Sequence, residues 1–429
     1  MPAKNIRNAL LRSLPVLVPL LVAPGSACAE GYGIFEARAL AMGGTTAALA
    51  NTDNALFYNP ALLAFHNGDS DTSRDGSIYF PLITAQISDT VKDVADIEQD
   101  DPTANLTTAI NAFNANQNAD TAQAVADRAR DLLDAIDPLD GEDVVADGFV
   151  GLSLTEPSDR EGAGFYLGGR VLGGGRADIS DSDKSLANDY IDALDFIASG
   201  GQRGAAHPEL FNGGTLIDPV DTLTSTAKVK GARIVEAGIA LSKEYTLWGV
   251  PVAFGVTPKW MRVHTYEASQ SIQGGDINSS TSDKVFNTGN LDLGVALEFA
   301  GHYRAGLAVK DVLEKQFETD FGNQVTLSAK PRLGLAYVSE RLQLGMDMDL
   351  NRVEAVGDEA SIQELSLGGE WLASRHFALR AGYRHDIKNE RDDIASLGVG
   401  MHFGDVLIDV AYAQGGSSQG VSLQLGFRR

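Results

Sequence analysis

The side chains in this sequence best suited to metal binding or proton transfer are seven histidines: His66, His207, His264, His302, His376, His385 and His402. No two of them stand at the helical spacing of a zinc hydrolase, so no metal site is expected. Ser153 lacks the flanking glycines of a nucleophile elbow, and no Ser-His-Asp grouping can be nominated, so no catalytic residue and no enzymatic activity are expected. Gly168-Gly169 and Gly173-Gly174-Gly175 lack the Lys-Ser/Thr of a phosphate loop and fall in a stretch that reads as strand. They imply close packing, not nucleotide binding. Cys28 is the single cysteine, which excludes intrachain disulfides and cysteine metal clusters. No cofactor is expected. What remains is a set of charges spaced two apart within apolar stretches, and a compact segment over 30–65.

Those charges need elements that could hold them. The chain has 429 residues, 34 Lys plus Arg against 58 Asp plus Glu, and a net charge of −24. Phosphate neutralisation needs a basic face, so nucleic acid is excluded as a partner. Lys4, Arg7 and Arg12, an apolar stretch from Leu14 to Val22 and the small residues Ala27-Cys28-Ala29 read as a secretory signal over 1–29. Acylation of Cys28 is the alternative. Beyond it no run approaches the ~18 apolar residues of a spanning helix, which leaves a closed barrel as the only route across a bilayer.

Period-two alternation recurs along the chain, the mark of strands with two unlike faces. Leu342, Leu344, Met346, Met348 and Leu350 alternate with Gln343, Gly345, Asp347, Asp349 and Asn351. Similar runs follow Leu291, Leu365, Phe377, Val406 and Val421. Reading all of them predicts about fourteen strands, beginning near Ile78, Phe149, Phe165, Val229, Val252, Val285, Arg304, Val325, Leu342, Ile362, Phe377, Leu397, Val406 and Val421. Pro258 and the stretch from Thr222 to Lys230 sit awkwardly within this count. Connections alternate between short and long, including a longer one over 415–420, as in outer-membrane barrels.

Two long connections, 89–144 and 180–221, carry helical spacing. Leu106, Ile110 and Phe113, then Val125, Ala129, Leu132 and Ile136, predict a helical hairpin around the Asn114–Asn118 turn. Leu186, Tyr190, Leu194 and Ile197 predict a further helix. The expected fold is an all-β, closed transmembrane barrel of about fourteen antiparallel strands over 71–429, with helical insertions in its outer loops. In such a barrel Asp292, Glu298, Arg332, Asp347, Asp349, Glu364, Glu370, Arg380, Arg384 and Asp409 point into the lumen, because a charge facing lipid costs ~2–4 kcal/mol for Arg or Lys near midplane. They either pair with one another and with the amino-terminal segment, or filter solutes.

Residues 30–65 do not alternate. They contain Gly33-Ile34-Phe35-Glu36-Ala37-Arg38, Ala41-Met42-Gly43-Gly44-Thr45 and Phe57-Tyr58-Asn59-Pro60-Ala61. Together with Leu344 to Asn351 and Leu379 to Tyr383, these motifs resemble the conjugal-transfer TraF-like family of outer-membrane proteins, relatives of the FadL long-chain fatty-acid transporters. The resemblance implies a fourteen-stranded barrel with an amino-terminal plug over 30–70. It also implies that Phe35, Arg38, Met42, Gly43, Gly44, Phe57, Asn59 and Pro60 form that plug or touch a ligand.

Two functions fit. One is a passive route for small hydrophobic solutes, gated by the plug. The other is a non-transporting structural or docking component of the envelope or conjugation machinery. Either places the chain in the outer membrane of a Gram-negative bacterium. Its expected partners are lipid and lipopolysaccharide, the barrel-assembly machinery and, for the first, a hydrophobic small molecule. A soluble periplasmic β-protein is a third reading.

Overall fold

The computed structural model describes residues 32–65, 76–90, 100–158, 160–271, 278–280, 284–353, 360–416 and 418–428. The predicted signal with Cys28, and His66, lie outside them. Two short helices, α1 (Ala37–Ala41) and α2 (Ala55–Tyr58), precede the strands. Fourteen strands then form one ring: β1 (Ser77–Ser88), β2 (Asp143–Pro157), β3 (Glu161–Asp178), β4 (Thr226–Leu247), β5 (Val250–Ser271), β6 (Val285–Phe299), β7 (Tyr303–Lys310), β8 (Lys330–Val338), β9 (Leu342–Asp349), β10 (Glu364–Leu372), β11 (Phe377–Asp386), β12 (Ile394–Phe403), β13 (Val406–Gly415) and β14 (Ser418–Arg428). Each is antiparallel to its neighbours in sequence, and β1 meets β14 with Ser77 opposite Arg428. Closure leaves no edge whose N–H and C=O groups would lie unpaired in lipid.

The predicted phase holds around the ring. Leu344 and Met346 are 47% and 42% exposed, whereas Asp347 and Asp349 are 1% exposed. Aromatic rings gather at the short-turn rim: Phe299 stacks on Tyr303 at 5.8 Å, Tyr303 meets Tyr337 at 5.6 Å, and Phe377 meets Phe403 edge-on at 6.1 Å. Such a girdle suits the boundary between acyl chains and headgroups. No described helix is long and apolar enough to cross a membrane.

Short connections over 158–160, 248–249, 300–302, 339–341, 373–376 and 404–405 occupy one rim. Long ones over 89–142, 179–225, 272–284, 311–329, 350–363 and 387–393 occupy the other. Two expectations need correction. The strand placed at Val325 is not a barrel strand: Gln324–Leu327 pairs with Lys315–Glu318 as a separate hairpin, and the eighth strand is Lys330–Val338. Val325 and Leu327 alternate like a membrane strand, but their apolar face meets the lumen. The connection over 415–420 is tight: β13 runs to Gly415, β14 starts at Ser418, and the two pair as far as Gln414 opposite Gln419. Small residues there resemble a loop in composition, yet Gln414 and Gln419 already pair across it. Pro258 does lie in a strand. Pairing of β5 with β4 lapses opposite it and resumes in the same register, as a residue without an N–H requires.

The long loops carry α3 (Pro102–Ala115), α4 (Ala119–Ile136) and α5 (Asp181–Ala198). Asn118 caps α4 and forms a reciprocal pair with Thr121. Leu106, Phe113, Val125, Ala129 and Leu132 share one core with Tyr190 and Leu194 of α5, while the acids of α4 face solvent. Asp183 ties α5 to the entry of β4, accepting N–H bonds from Thr224 at 2.8 Å and Ser225 at 2.7 Å. Burial works against its charge, but these bonds and those from the Ser225 and Thr224 hydroxyls outweigh it and hold its pKa below the usual carboxylate value.

The belt and this clamp each give an expected outcome. Leu344→Arg should lower stability by about 2–4 kcal/mol in equilibrium unfolding from lipid vesicles. The Asp183 contribution is complete above about pH 4, the unfolded carboxylate range, and fades as pH falls through the lower folded value. Asp183→Ala should therefore remove hydrogen-exchange protection at Thr224 and Ser225 at neutral pH. The wild type should lose that protection only in acid.

Candidate functional site

Residues 32–65 occupy the interior of the ring. Glu36 starts α1 by accepting the N–H groups of Arg38 (2.6 Å) and Ala39 (2.8 Å), and it also takes the Asn54 amide at 2.8 Å. Gly43 and Gly44, at φ 63° and 77°, end that turn in the left-handed region where a side chain is strained. Asn59 accepts the Ala61 N–H at 3.1 Å and donates to the Ala47 carbonyl at 2.6 Å. It thereby fixes the entry to the 3-10 turn Pro60–Ala64.

The wall meets this segment with glycine. Gly255, Gly294, Gly306, Gly334, Gly345, Gly368, Gly382 and Gly398 lie on eight successive strands from β5 to β12. Gly255 is paired with Gly294, Gly306 with Gly334, and Gly368 with both Gly345 and Gly382. A Cβ at Gly382 would run into the Gly43 backbone, one at Gly255 into Pro60 and Ala61, and one at Gly306 into the Ala47 carbonyl. At Gly255, Gly306, Gly368 and Gly382 the seat is therefore main chain against main chain, whereas Gly294, Gly345 and Gly398 make room for side chains of the segment.

Buried ion pairs fix its orientation. Arg38 Nε lies 3.0 Å from Glu370, which also takes Arg380 at 2.5 Å. Arg380 reaches Asp409, and Gln424 donates to Asp409 at 2.9 Å while accepting the Ala37 N–H at 3.0 Å. Arg332 pairs with Asp349 at 2.6 Å and Glu364 at 3.1 Å, donates to the Gly44 carbonyl at 3.1 Å, and lies 4.4 Å from the Tyr32 ring centre. Arg384 and Arg391 also meet Glu364. Asp347 accepts the N–H groups of Thr46 and Ala47 at 2.6 and 2.7 Å. Net stabilisation from buried pairs is small, but stripping one partner typically costs about 3–5 kcal/mol, so they specify position more than they add stability.

The side formed by β3 to β7 shares this glycine seat, but around Phe35 it is filled by side chains, with β2 contributing Phe149. Phe35 and Phe57 stack at 5.6 Å, and both meet Phe149 edge-on at 5.0 and 5.7 Å; Tyr166 closes on Phe57 at 5.1 Å. Above them Lys259 pairs with Asp292 at 2.9 Å and Asp311 at 2.7 Å. Lys310 donates to the Phe57 carbonyl at 2.5 Å and lies 4.2 Å from the Phe35 ring centre. Phe35, Arg170, Ile234, Met261, Lys310 and Leu327 help enclose a cavity of about 10 Å³, near the space one water requires.

All eight residues assigned to the inner segment are buried within the ring. Asp292, Asp347, Asp349, Glu370, Arg380 and Arg384 are buried; Asp292 pairs with Lys259, and the other five bind one another, Arg332, Glu364, Asp409 or the segment. Glu298 is the exception in burial, half-exposed at the short-turn rim beside Arg304. Sequence reasoning missed Arg170, Lys259 and Lys310, whose inward phase on β3, β5 and β7 was the available signal. Two outer features lie apart. His207 Nδ1 is 3.0 Å from Glu209 and 3.6 Å from Asp189 in the second long loop, all three at least partly exposed. A polar cleft of about 570 Å³ opens beneath the long-loop rim beside Asp143, Arg176 and Arg391.

A family model described as "F plasmid transfer operon, TraF, protein" matches residues 56–349. Among solved structures, a deltaS2S3 mutant of the monoaromatic hydrocarbon channel TodX is 13% identical, with a TM-score of 0.51 over 92% of this chain and 98% of its own. That likeness shows a shared fold. The Pseudomonas putida toluene transporter TodX aligns at 13% identity and TM-score 0.45 over 94% and 99% of the two chains. A Pseudomonas aeruginosa FadL homologue aligns at 11% identity and 0.48 over 93% and 99%. No curated protein matches the sequence.

The glycine seat has a direct readout. Gly382→Ala should lower the temperature at which the barrel loses its fast-migrating folded form on a heat-modifiability gel. Gly289→Ala, whose added Cβ would meet only ordinary contact at 3.7 Å, should leave that temperature unchanged.

Proposed function

The chain belongs to the family described as F plasmid transfer operon, TraF, protein, and from that membership together with its interior we propose an outer-membrane barrel that conducts small hydrophobic solutes passively. The observation that carries this reading is the cavity on the β3 to β7 side. Phe35 of the inner segment, Ile234, Met261 and Leu327 supply its apolar lining, beside the charged Arg170, Glu236, Lys259, Lys310 and Asp311. Ring faces and aliphatic walls bind apolar molecules through burial of area.

In this reading residues 32–65 act as the plug, and Phe35 and Phe57 touch the solute. Arg38, Met42, Gly43, Gly44, Asn59 and Pro60 anchor the segment. Residues 1–29 are the export signal, and the assembled barrel sits among lipid and lipopolysaccharide after insertion by the barrel-assembly machinery. Conduction needs the inner segment to shift, at least around Phe35 and Phe57, where side chains and not backbone fill the space.

A second reading, a non-transporting structural or docking component, is favoured by the continuous glycine seat, which resists movement of residues 41–61 as a body. The two part on uptake. Intact Gram-negative cells presenting the chain should accumulate labelled toluene faster than vector controls across their lipopolysaccharide leaflet, with glucose entry unchanged. Equal rates at matched surface abundance would leave the structural reading.

A further inference from the structure

The hairpin Lys315–Glu318/Gln324–Leu327 hangs inside the long-loop mouth, and its strands pair only with each other among the described residues. Its inner face carries Phe317, Val325 and Leu327, all buried. They pack on Leu172 of β3, Ala232 and Ile234 of β4, and Met261 and Val263 of β5, with the Phe317 ring 5.3 Å from that of Phe286. Those wall residues occupy inward positions, which in the strands from β8 to β14 hold mostly charged, polar and small residues. An apolar patch facing a lumen must be covered to stay out of water.

The polar tethers of the hairpin are one-sided. Thr265 donates to the Glu318 carbonyl at 3.1 Å, and Glu267 accepts from Thr319 and Asn323, each at 2.6 Å. Lys284 donates to the Thr319 carbonyl at 3.1 Å. All three tethering side chains belong to β5 or the approach to β6, whereas the contacts with β3 and β4 are apolar. A two-stranded hairpin held mainly by its docked face has little stability of its own. Leu327, Ile234 and Met261 also border the cavity above Phe35, so withdrawing the hairpin would join the patch to that cavity.

We propose that this patch is a binding site for a small uncharged apolar solute, and that Phe317, Val325 and Leu327 occupy it as an internal stand-in which the solute displaces. The hairpin lifts away from β3 and β4, and its tip lets go of Glu267 and Lys284. Solute entering from the outer mouth takes the place of three side chains, and the mouth recloses after it passes inward. The inference deepens the conduction reading and rests on it for physiological meaning, but the site itself can be tested alone.

The test uses purified protein in lipid nanodiscs with Cys28→Ser, carrying spin labels at Asp320→Cys on the hairpin tip and Asp405→Cys on the opposite rim. Saturating toluene should shift part of the distance distribution to longer values, glucose should not, and Phe317→Ser should enlarge the displaced share before any solute is added. An unchanged distribution at saturating toluene overturns the proposal, whether or not Phe317→Ser folds. In cells, Glu267→Cys with Thr319→Cys, joined by a reducible bis-methanethiosulfonate linker, should abolish toluene uptake until reductant restores it. Uptake that persists through the linked state also overturns it. Absence of uptake in every state would instead defeat the conduction reading, leaving the site to be decided by the spin-label distances.

Discussion

Every peptide group in hydrocarbon must find its hydrogen-bond partner within the protein, because no water is there to serve. For this chain that requirement is met by a ring in which β1 and β14 meet. Once the ring closes, each strand has one lipid face and one inner face, and the period of two assigns every residue to a side. The greasy belt of Leu344 and Met346, the aromatic rim and the inward charges are consequences of that one condition. So is the seating of residues 32–65, which fill a space otherwise lined by Asp, Glu and Arg.

The interior is divided by how it is filled. From β5 round to β12, glycines admit the inner segment, and on the β8 to β13 side Arg38, Arg332 and Arg380 lock it with paired carboxylates. Around β3, β4 and β5 the filling is by aromatic and aliphatic side chains from the segment below and the hairpin above. Side chains change rotamer at small cost, whereas a main chain pressed against another cannot yield without moving whole strands.

Much of this architecture was legible in the residues. Alternation supplied the number of strands and, for Leu342 to Leu350, the side each residue faces. The helical spacing of Leu106, Ile110 and Phe113 placed the loop hairpin, whose buried stripe is the one predicted. Two boundaries were misread because local pattern does not reveal the partner: Val325 and Leu327 alternate as lipid-facing residues do, and Gly415 to Gly420 has loop composition although it pairs. Within the site, Arg38 and Glu370 could each be nominated, but their meeting across 332 positions could not. Lys310 was passed over because a lysine on a short strand beside a loop reads as solvated, and only the closed ring turns it toward Phe35.

The glycine seat also bears on how freely this sequence can drift. Where the wall receives a peptide backbone, as at Gly255, Gly306, Gly368 and Gly382, the visitor's side chains matter little at the points of touch, and the host's missing Cβ atoms matter greatly. Substitutions should accumulate along the visitor more readily than among the eight residues that make room for it. A lineage comparing many such barrels would find its most unforgiving positions scattered one to a strand, at residues that carry no functional group at all.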